Sequence, residues 1–496
     1  MTKSRKFFKD VMLYSTSTFF SNILNFITAI VVRRVLQPTL MGIFNEMMLV
    51  FDYAQHSHLG IINSLDKELP FLYGQGDAKK AEAARDVGFT FCLLLALSVS
   101  TAIFAASIFL PFGSNNLLAY GMRFISFLVL IRLCNSLYIV LNRSRHNFSV
   151  ISTNTVMVAV FDLLLKSVLT VKFGLHGLLW ASILTPVVGL IYFLKATREN
   201  FKIVFNFALK DILYLLKIGF PIFITGFTFM TLMNIDRIMI LRLLDVEKLG
   251  LYTIGLMVNV YVVQLPNLVY AVIFPRFYQA YGESQDITEV KELFIKPMLI
   301  FGYLFPVLVG CVIIVLPLLV HYLLPAYLPG LMPAYLLLMG SSFIALVNMP
   351  GYLLVALNKQ SKMVLICASC VLLGAAFIYI FVRKFNLGLS GAAIGASLAY
   401  FCYATALSSY AFKNYTREIS HHLLFLMELY LPFIWVVSLL LLLGSFTSTI
   451  SGNIIKDLSM LCYREGVFLL ACLPLIFYGN KKTGILRMLK EAYLKK

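Results

Sequence analysis

The chain has 496 residues, of which 60% are hydrophobic and 13% charged, and its mean hydropathy is +0.87. A soluble domain carries about 25% charged residues, so these values exclude a soluble fold, which could not cover its surface. Backbone groups cannot stay unpaired in hydrocarbon, and the apolar runs are about 20 residues long, so membrane-spanning helices are expected rather than a barrel. The net charge of +18 lies in short clusters between these runs, which argues against a nucleic-acid-binding surface.

The apolar runs predict an all-α integral membrane protein with about fourteen transmembrane helices. The first run is longer than the core of a signal peptide and lacks a small-residue cleavage site, so it is expected to remain as the first span. The predicted spans are 11–33, 40–62, 87–111, 117–141, 149–171, 175–196, 212–240, 249–272, 295–320, 332–356, 361–382, 387–411, 422–443 and 462–478.

The distribution of Lys and Arg predicts the orientation. With the N-terminus in the cytoplasm, 27 of the 41 basic residues fall in cytoplasmic segments or within three residues of them, and nine fall likewise on the opposite side. Positive charge is enriched on the cytoplasmic side of membrane proteins. An even number of spans with both termini in the cytoplasm is therefore expected.

The sequence contains an internal repeat, with three short matches that recur in the same order at a nearly constant offset. The pairs are RVLQPTLMGIF at Arg34 with RLLDVEKLGLY at Arg242, LNR at Leu141 with LNK at Leu357, and GLHG at Gly174 with GLSG at Gly388. The repeat unit is six spans, an even number, which predicts two six-helix bundles related by an axis along the membrane normal. The expected domains are residues 1–210 (spans 1–6), 211–415 (spans 7–12) and 416–496 (spans 13–14 with a basic cytoplasmic tail). A cavity between such bundles is typical of transporters.

Charged residues inside spans are costly and tend to face a cavity or a partner. The basic residues outnumber the acids, which favours an anionic cargo over a cationic drug. The basic residues at or within spans are Arg33, Arg34, Arg123, Arg132, Lys166, Lys217, Arg237 and Arg242. The acids are Glu46, Asp52, Asp162, Asp236 and Glu428. We expect Arg132, Arg123, Arg34, Arg237, Arg242 and Lys166 to contribute to a cationic cavity.

Arg132 is the first candidate for phosphate contact, because it lies in the middle of a span and a guanidinium can bind phosphate through paired N–H donors. We expect Asn135 and Asn142 to follow it along the same helix face. The alternative is that an acid or carbonyl of a neighbouring helix neutralises Arg132. For Arg34 and Arg242, which are repeat mates near span ends, snorkelling to the interface is the alternative.

Two acid–base combinations are candidates for gating or coupling. Asp162 and Lys166 have the i, i+4 spacing of a helical ion pair. Either the two charges only neutralise each other, or the pair opens when cargo or a coupling ion binds. Asp52 and His56 lie one turn apart and could take up a proton, or merely line a wet wall. A third candidate is Asp236, which together with Arg237 forms either an interhelical tie or part of a gate.

The sequence carries no phosphate-loop motif, zinc-protease motif or nucleophile elbow, and it has no soluble domain to house a reaction. We therefore expect no enzymatic activity, no cofactor and no metal.

The segment PIFITGFTFMTLMNIDRIMILRLLDVEKLGLYTIG, from Pro221, resembles spans seven and eight of bacterial polysaccharide-unit flippases. Asp236-Arg237 and Gly250-x-Tyr252 are its most specific residues. LMGIFNEMMLVFDYAQHSHLGIINSLDKELPFLYGQGD, from Leu40, is similar to the second span and following loop of this family, and FPRF and LPAYLPG also fit. The flippases belong to the multidrug, oligosaccharidyl-lipid and polysaccharide exporter superfamily.

The resemblance implies alternating-access flipping of an oligosaccharide carried on undecaprenyl pyrophosphate, for O-antigen, capsule or exopolysaccharide assembly in the bacterial plasma membrane. The implied partners are the lipid-linked oligosaccharide, membrane lipids and polysaccharide polymerase or assembly proteins, without nucleic acid. Alternatives are a cation-coupled multidrug exporter, a lipid-linked peptidoglycan precursor flippase, or a membrane polymerase or ligase. The last would normally have a large external loop.

Overall fold

The computed structural model describes residues 3–109, 116–197, 201–204, 209–416, 418–444 and 450–484. All regular elements within these ranges are helical, which confirms the predicted all-α membrane fold. The chain divides into two compact units, Met1–Phe227 and Thr228–Lys496, and the boundary falls inside helix α6.

The first unit begins with a very long helix and ends in the first part of α6. Its elements are α1 (Lys3–Ala54), a 3-10 turn (Gln55–His58), α2 (Ile61–Gly74), α3 (Ala78–Phe109), α4 (Asn116–Ser144), α5 (Phe148–Ala196) and α6 (Leu209–Leu243). Helices α1 and α5 pack extensively on each other, and α4 packs on both. Asp77 caps the start of α3: the ammonium of Lys80 lies 2.7 Å from its carboxylate and holds the pKa of Asp77 below its usual value.

The second unit contains the remaining helices. They are α7 (Val246–Ser284), α8 (Lys291–Leu323), α9 (Leu331–Ile344), α10 (Asn348–Ala356), α11 (Gln360–Tyr379), α12 (Gly388–Phe412), α13 (Ile419–Leu442) and α14 (Ile454–Thr483). A 3-10 turn, Pro325–Gly330, precedes α9, and a π-helical turn, Ile380–Lys384, follows α11. Helices α13 and α14 both pack against α8.

Twelve helical segments of the described chain are long and apolar enough to cross a membrane. Two of them, Met12–His58 and Phe148–Ala196, have 47 and 49 residues. Each contains one residue with non-helical backbone angles, Gln37 and Gly174 respectively. Since one crossing needs about 20 residues, each of these segments holds two predicted spans. The twelve segments therefore accommodate all fourteen.

Matched backbone features occur at the repeated GLHG and GLSG sequences. Gly174 and Gly388, which open the two motifs, have left-handed φ values of 57° and 54°. Three residues on, Gly177 and Gly391 each lie so close to backbone atoms of the preceding helical segment that a Cβ would overlap them. Glycine is the residue that accepts both conditions. The sequence repeat thus corresponds to a repeated turn between consecutive spans.

Some boundaries differ from the sequence prediction. The second span was expected to continue to residue 62, but α1 ends at Ala54 and left-handed Leu59 and Gly60 turn the chain before α2. Helix α6 continues from Leu209 to Leu243 although it contains Pro221. A proline can be tolerated inside a transmembrane helix when neighbouring groups satisfy the freed carbonyl.

Small residues allow close packing in the second unit. Helix α12 approaches α11 so closely that a Cβ on Gly395 would lie 2.7 Å from the backbone nitrogen of Ile378. Gly391 and Ala399, each one turn from Gly395 on the same face, are also buried. Helices in lipid associate largely through such small-residue contacts, because lipid supplies little hydrophobic drive. Large apolar side chains are exposed along most spans, as a hydrocarbon surrounding requires.

Candidate functional site

Arg132 lies in the middle of α4 in the first unit, and its side chain is exposed. The charge of Asp162, on the neighbouring helix α5, acts on it. Ser136, one turn further along α4, is half-buried and donates its hydroxyl to the Arg132 carbonyl oxygen at 3.0 Å. The Arg132 side chain is thus exposed at span depth although the surrounding protein desolvates its charge, and Asp162 supplies a partial counter-charge.

Asp162 and Lys166 form the ion pair that their spacing predicts. Lys166 Nζ donates to Asp162 Oδ2 at 2.7 Å, and the two side chains remain 20% and 14% exposed, respectively. Because the charge of Asp162 also acts on Arg132, this carboxylate compensates part of the charge of two cations. The three side chains carry a net charge of +1, and none is sealed from the surroundings. We call Arg132, Asp162 and Lys166 the α4–α5 charge cluster.

The expectation that Asn135 and Asn142 share the accessible face of Arg132 is wrong. Asn135 is buried and donates to the carbonyl oxygen of Pro186 at 3.0 Å, while buried Asn142 donates to Thr197 Oγ1 at 2.9 Å. Three residues correspond to about 300° of rotation on a helix, and ten to about 280°, so both amides point about 60–80° away from Arg132. These amides tie α4 to the C-terminal part of α5.

In the second unit, Asp236 of α6 is fully buried. Its Oδ2 accepts the hydroxyl of Tyr252 on α7 at 2.8 Å, and its Oδ1 accepts the backbone N–H of Arg237 at 2.8 Å. Arg237 is 8% exposed and donates from Nη1 to Asn234 Oδ1 at 2.7 Å. Asp236 therefore forms an interhelical tie to Tyr252, the tyrosine of the Gly250-x-Tyr252 pattern.

The other candidates are placed individually. Three candidate arginines of the cationic cavity are exposed: Arg34, Arg123 and, at the end of α6, Arg242. His56 Nδ1 lies 2.8 Å from the backbone carbonyl oxygen of Asp52, so the contact between this pair involves the main chain of Asp52. Both residues are half-buried. Within the described residues, no group of three or more His, Cys, Asp or Glu side chains is placed to hold a metal ion.

Sequence reasoning missed a buried ion pair at the start of α3. Arg85 Nε donates to Asp86 Oδ1 at 2.7 Å, and Asp86 Oδ1 also accepts the backbone N–H of Lys202 at 3.1 Å. The arrangement fixes the 201–204 segment against α3, since Thr90 Oγ1 accepts the N–H of Val204 at 3.0 Å. Adjacent helical residues normally diverge, so their spacing in the sequence carries no signal for this pair.

A second missed contact joins α2 to α6. Tyr214 donates its hydroxyl to Glu68 Oε1 at 2.6 Å. Both side chains line a cavity of about 280 Å³, together with Lys80 and Asp211. The apolar period of α2, with Ile61, Leu65, Leu69 and Leu72 buried, places Glu68 on the inner face and could have suggested its burial.

A family model described as "Polysaccharide biosynthesis protein" matches residues 74–326, just over half of the 496 residues. The chain belongs to this polysaccharide biosynthesis protein family. A comparison with curated proteins found no match.

Solved structures share the fold of this polysaccharide biosynthesis protein. An inward-facing multidrug resistance MATE transporter of the MOP superfamily matches with a TM-score of 0.64 and 15% identity, covering 82% of this chain and 94% of its own. An outward-facing MATE transporter matches with a TM-score of 0.60 and 16% identity, covering 82% and 95%. A MOP superfamily transporter from Pyrococcus furiosus, described as having a binding pocket of reverse polarity, matches with a TM-score of 0.55 and 16% identity, covering 82% and 93%.

The chain is therefore a multi-pass membrane protein of the polysaccharide biosynthesis family with a MATE-like fold. At such identities the solved structures support the fold alone, so the cargo has to be argued from the charged residues of this chain.

Proposed function

We propose that this protein flips a lipid-linked oligosaccharide of the undecaprenyl pyrophosphate type across the bacterial plasma membrane by alternating access, for cell-surface polysaccharide assembly. The observation that carries the proposal is the α4–α5 charge cluster, in which the exposed side chain of Arg132 lies beside the Asp162–Lys166 ion pair. Membership of the polysaccharide biosynthesis family supports the same class of cargo.

The cargo has three parts with different physical needs. The polyprenyl tail stays in lipid, the sugar head needs water, and the pyrophosphate needs cations because a bare anion is very costly in a low-dielectric medium. Arg132 binds phosphate oxygens through its fork of N–H donors. Lys166 exchanges the Asp162 carboxylate for a phosphate oxygen, so its positive charge is paired before and after binding.

The cluster is suited to release as well as to binding. A cationic site without an internal acid would hold a pyrophosphate tightly, whereas Asp162 competes for both cations.

Other charged residues complete the proposal. The further members of the cationic path are Arg34, Arg123, Arg237 and Arg242. The candidates for coupling or gating are Asp52, His56 and Asp236. In this proposal both termini lie in the cytoplasm, and the two six-span repeats and the appended spans form the domains 1–210, 211–415 and 416–496.

Deletion of the gene, followed by leaflet analysis of lipid-linked sugar, tests the proposed cargo. The expected result is accumulation of lipid-linked oligosaccharide in the inner leaflet and loss of the surface polymer, with both restored by the wild-type gene. The solved structures named above include multidrug transporters, so drug tolerance is measured in the same strains. Unchanged lipid-linked sugar together with lowered drug tolerance would assign the protein to drug export instead.

A further inference from the structure

The turn that follows α1 contains a histidine that must be neutral in this conformation. After the 3-10 turn Gln55–His58, Leu59 and Gly60 both adopt left-handed angles, with φ of 48° and 96°. The backbone N–H of Gly60 donates to Nδ1 of His58 at 3.0 Å. An N–H group can only donate, so Nδ1 carries a lone pair and no proton. The bond closes the turn in the way that an Asn or Asp side chain closes an Asx turn.

This turn packs directly against α6. A Cβ on Gly60 would lie 2.6 Å from the carbonyl carbon and oxygen of Gly219, so the two backbones are in contact. The His58 ring also meets Phe223 of α6, with 5.9 Å between ring centroids at an angle of 72°. The position of the turn therefore sets how the first half of α6 is held within the first unit.

Two aromatic rings, those of His56 and Phe223, contact the His58 ring. His56 is the titratable group whose charge acts on His58 within the described residues, and these two histidine rings lie 6.1 Å apart. Helix α6 presents Phe223, and its nearest charged residue along the chain is Lys217, which is exposed. Asp52 lies earlier on α1, and its backbone carbonyl oxygen contacts His56. Helices α3 and α4 also contact the 55–58 turn.

We propose that His58 is a proton-binding site that controls the contact between the 55–60 turn and α6. A proton taken from water binds Nδ1 and turns it from an acceptor into a donor. Its new N–H then faces the N–H of Gly60, the hydrogen bond is lost, and the turn is no longer held closed against Gly219. The ring is half-buried, so water can reach it.

The consequence concerns the part of α6 that lies in the first unit. Loosening the hold on Gly219 frees this part of the helix from the 55–60 turn. As a coupling site for transport, His58 rests on the proposed flippase activity, whereas the protonation of the turn itself does not.

Two substitutions at His58 distinguish the loss of its hydrogen-bond acceptor from the uptake of a proton. His58→Asn retains an acceptor, because an Asn side chain readily accepts the N–H two residues ahead, but it cannot titrate. His58→Phe removes the acceptor, as protonation of Nδ1 does, but introduces no charge. His176→Asn, at an exposed histidine of the first unit, is the matched control.

Hydrogen–deuterium exchange of the full-length protein in lipid nanodiscs, without cargo, is measured between about pH 8 and about pH 3.5. The range extends below that of an ordinary histidine because partial burial and the bond from Gly60 both favour the neutral ring. Rates for peptides covering residues 55–64 and 215–223 are divided by those of unstructured peptides of the same sequence. One hydrogen bond contributes roughly 0.5–1.5 kcal/mol, so wild type should exchange about threefold to tenfold faster at the acidic end. His176→Asn should follow wild type, and His58→Asn should stay protected throughout. The phenylalanine variant should exchange fast at both ends.

The same pH response in His58→Asn as in wild type would overturn the proposal, and so would full protection in His58→Phe at neutral pH. If His58→Phe fails to fold, the comparison of wild type with His58→Asn decides by itself. Because the measurement contains no lipid-linked sugar, a failure of the flippase proposal would leave this result unchanged.

Discussion

The carboxylate of Asp236 and the hydroxyl of Tyr252 lie 2.8 Å apart, and the two residues are 0% and 1% exposed. The contact joins the seventh and eighth predicted spans about two helical turns from the bend that links them. It explains in physical terms why the Asp236-Arg237 and Gly250-x-Tyr252 patterns occur together, since an unpartnered carboxylate at this depth would be costly.

Removal of the Tyr252 hydroxyl should destabilise the second unit. Tyr252→Phe leaves one oxygen of Asp236 without its donor, and we expect a loss of about 1–2 kcal/mol, in the range measured for hydrogen bonds between membrane helices. Thermal unfolding in detergent measures the effect. Tyr379→Phe is the control, because Tyr379 is 48% exposed and its hydroxyl can find other partners. Equal melting temperatures for the two variants would show that the tie contributes nothing.

The Asp162–Lys166 pair should be coupled energetically. Lys166→Gln leaves the partly buried carboxylate facing only Arg132, and Asp162→Asn leaves two cations without their acid, so each single variant should lose transport. The double variant should recover part of that loss, because no isolated carboxylate remains. A double-mutant cycle on transport rate measures the coupling. Strict additivity would mean that the ion pair plays no joint part in transport.

Arg132 should be required for transport in a way that depends on its geometry. Arg132→Ala should abolish export at a normal protein level, and Arg132→Lys should retain a small fraction, because an ammonium keeps the charge but loses the paired donors. Surface polymer and protein abundance are measured together. Arg276→Ala, at another exposed arginine, is the control. Full export by both Arg132 variants would make the phosphate assignment wrong.

The two repeat turns should respond alike to the same substitution. Gly174→Ala and Gly388→Ala place a Cβ at φ of 57° and 54°, where a non-glycine residue costs roughly 1–2 kcal/mol. Gly466→Ala is the control, because this glycine lies inside α14 with open space where a Cβ would be added, and alanine favours helices there. Thermal unfolding should show similar losses for the first two variants and none for the third.

The sequence was sufficient for the spans because hydropathy over about 20 residues is a local property. It was also sufficient for Asp162–Lys166, whose partners are four residues apart on one helix. Asn135 was misplaced because a small angular difference on α4 decides between the accessible face and a bond to Pro186. The bond between His58 and Gly60 depends on two left-handed residues in a row, and a Leu at the first of them gives no warning of such a turn.

The most direct test is reconstitution of the purified protein into liposomes with a labelled undecaprenyl pyrophosphate oligosaccharide. The fraction of labelled sugar that is accessible to an external glycosidase or lectin is then measured as a function of time. The proposed function predicts that wild type equilibrates the labelled lipid between the leaflets, while protein-free liposomes and the Arg132→Ala variant do not. Equal rates in wild type, the variant and protein-free liposomes would contradict the account.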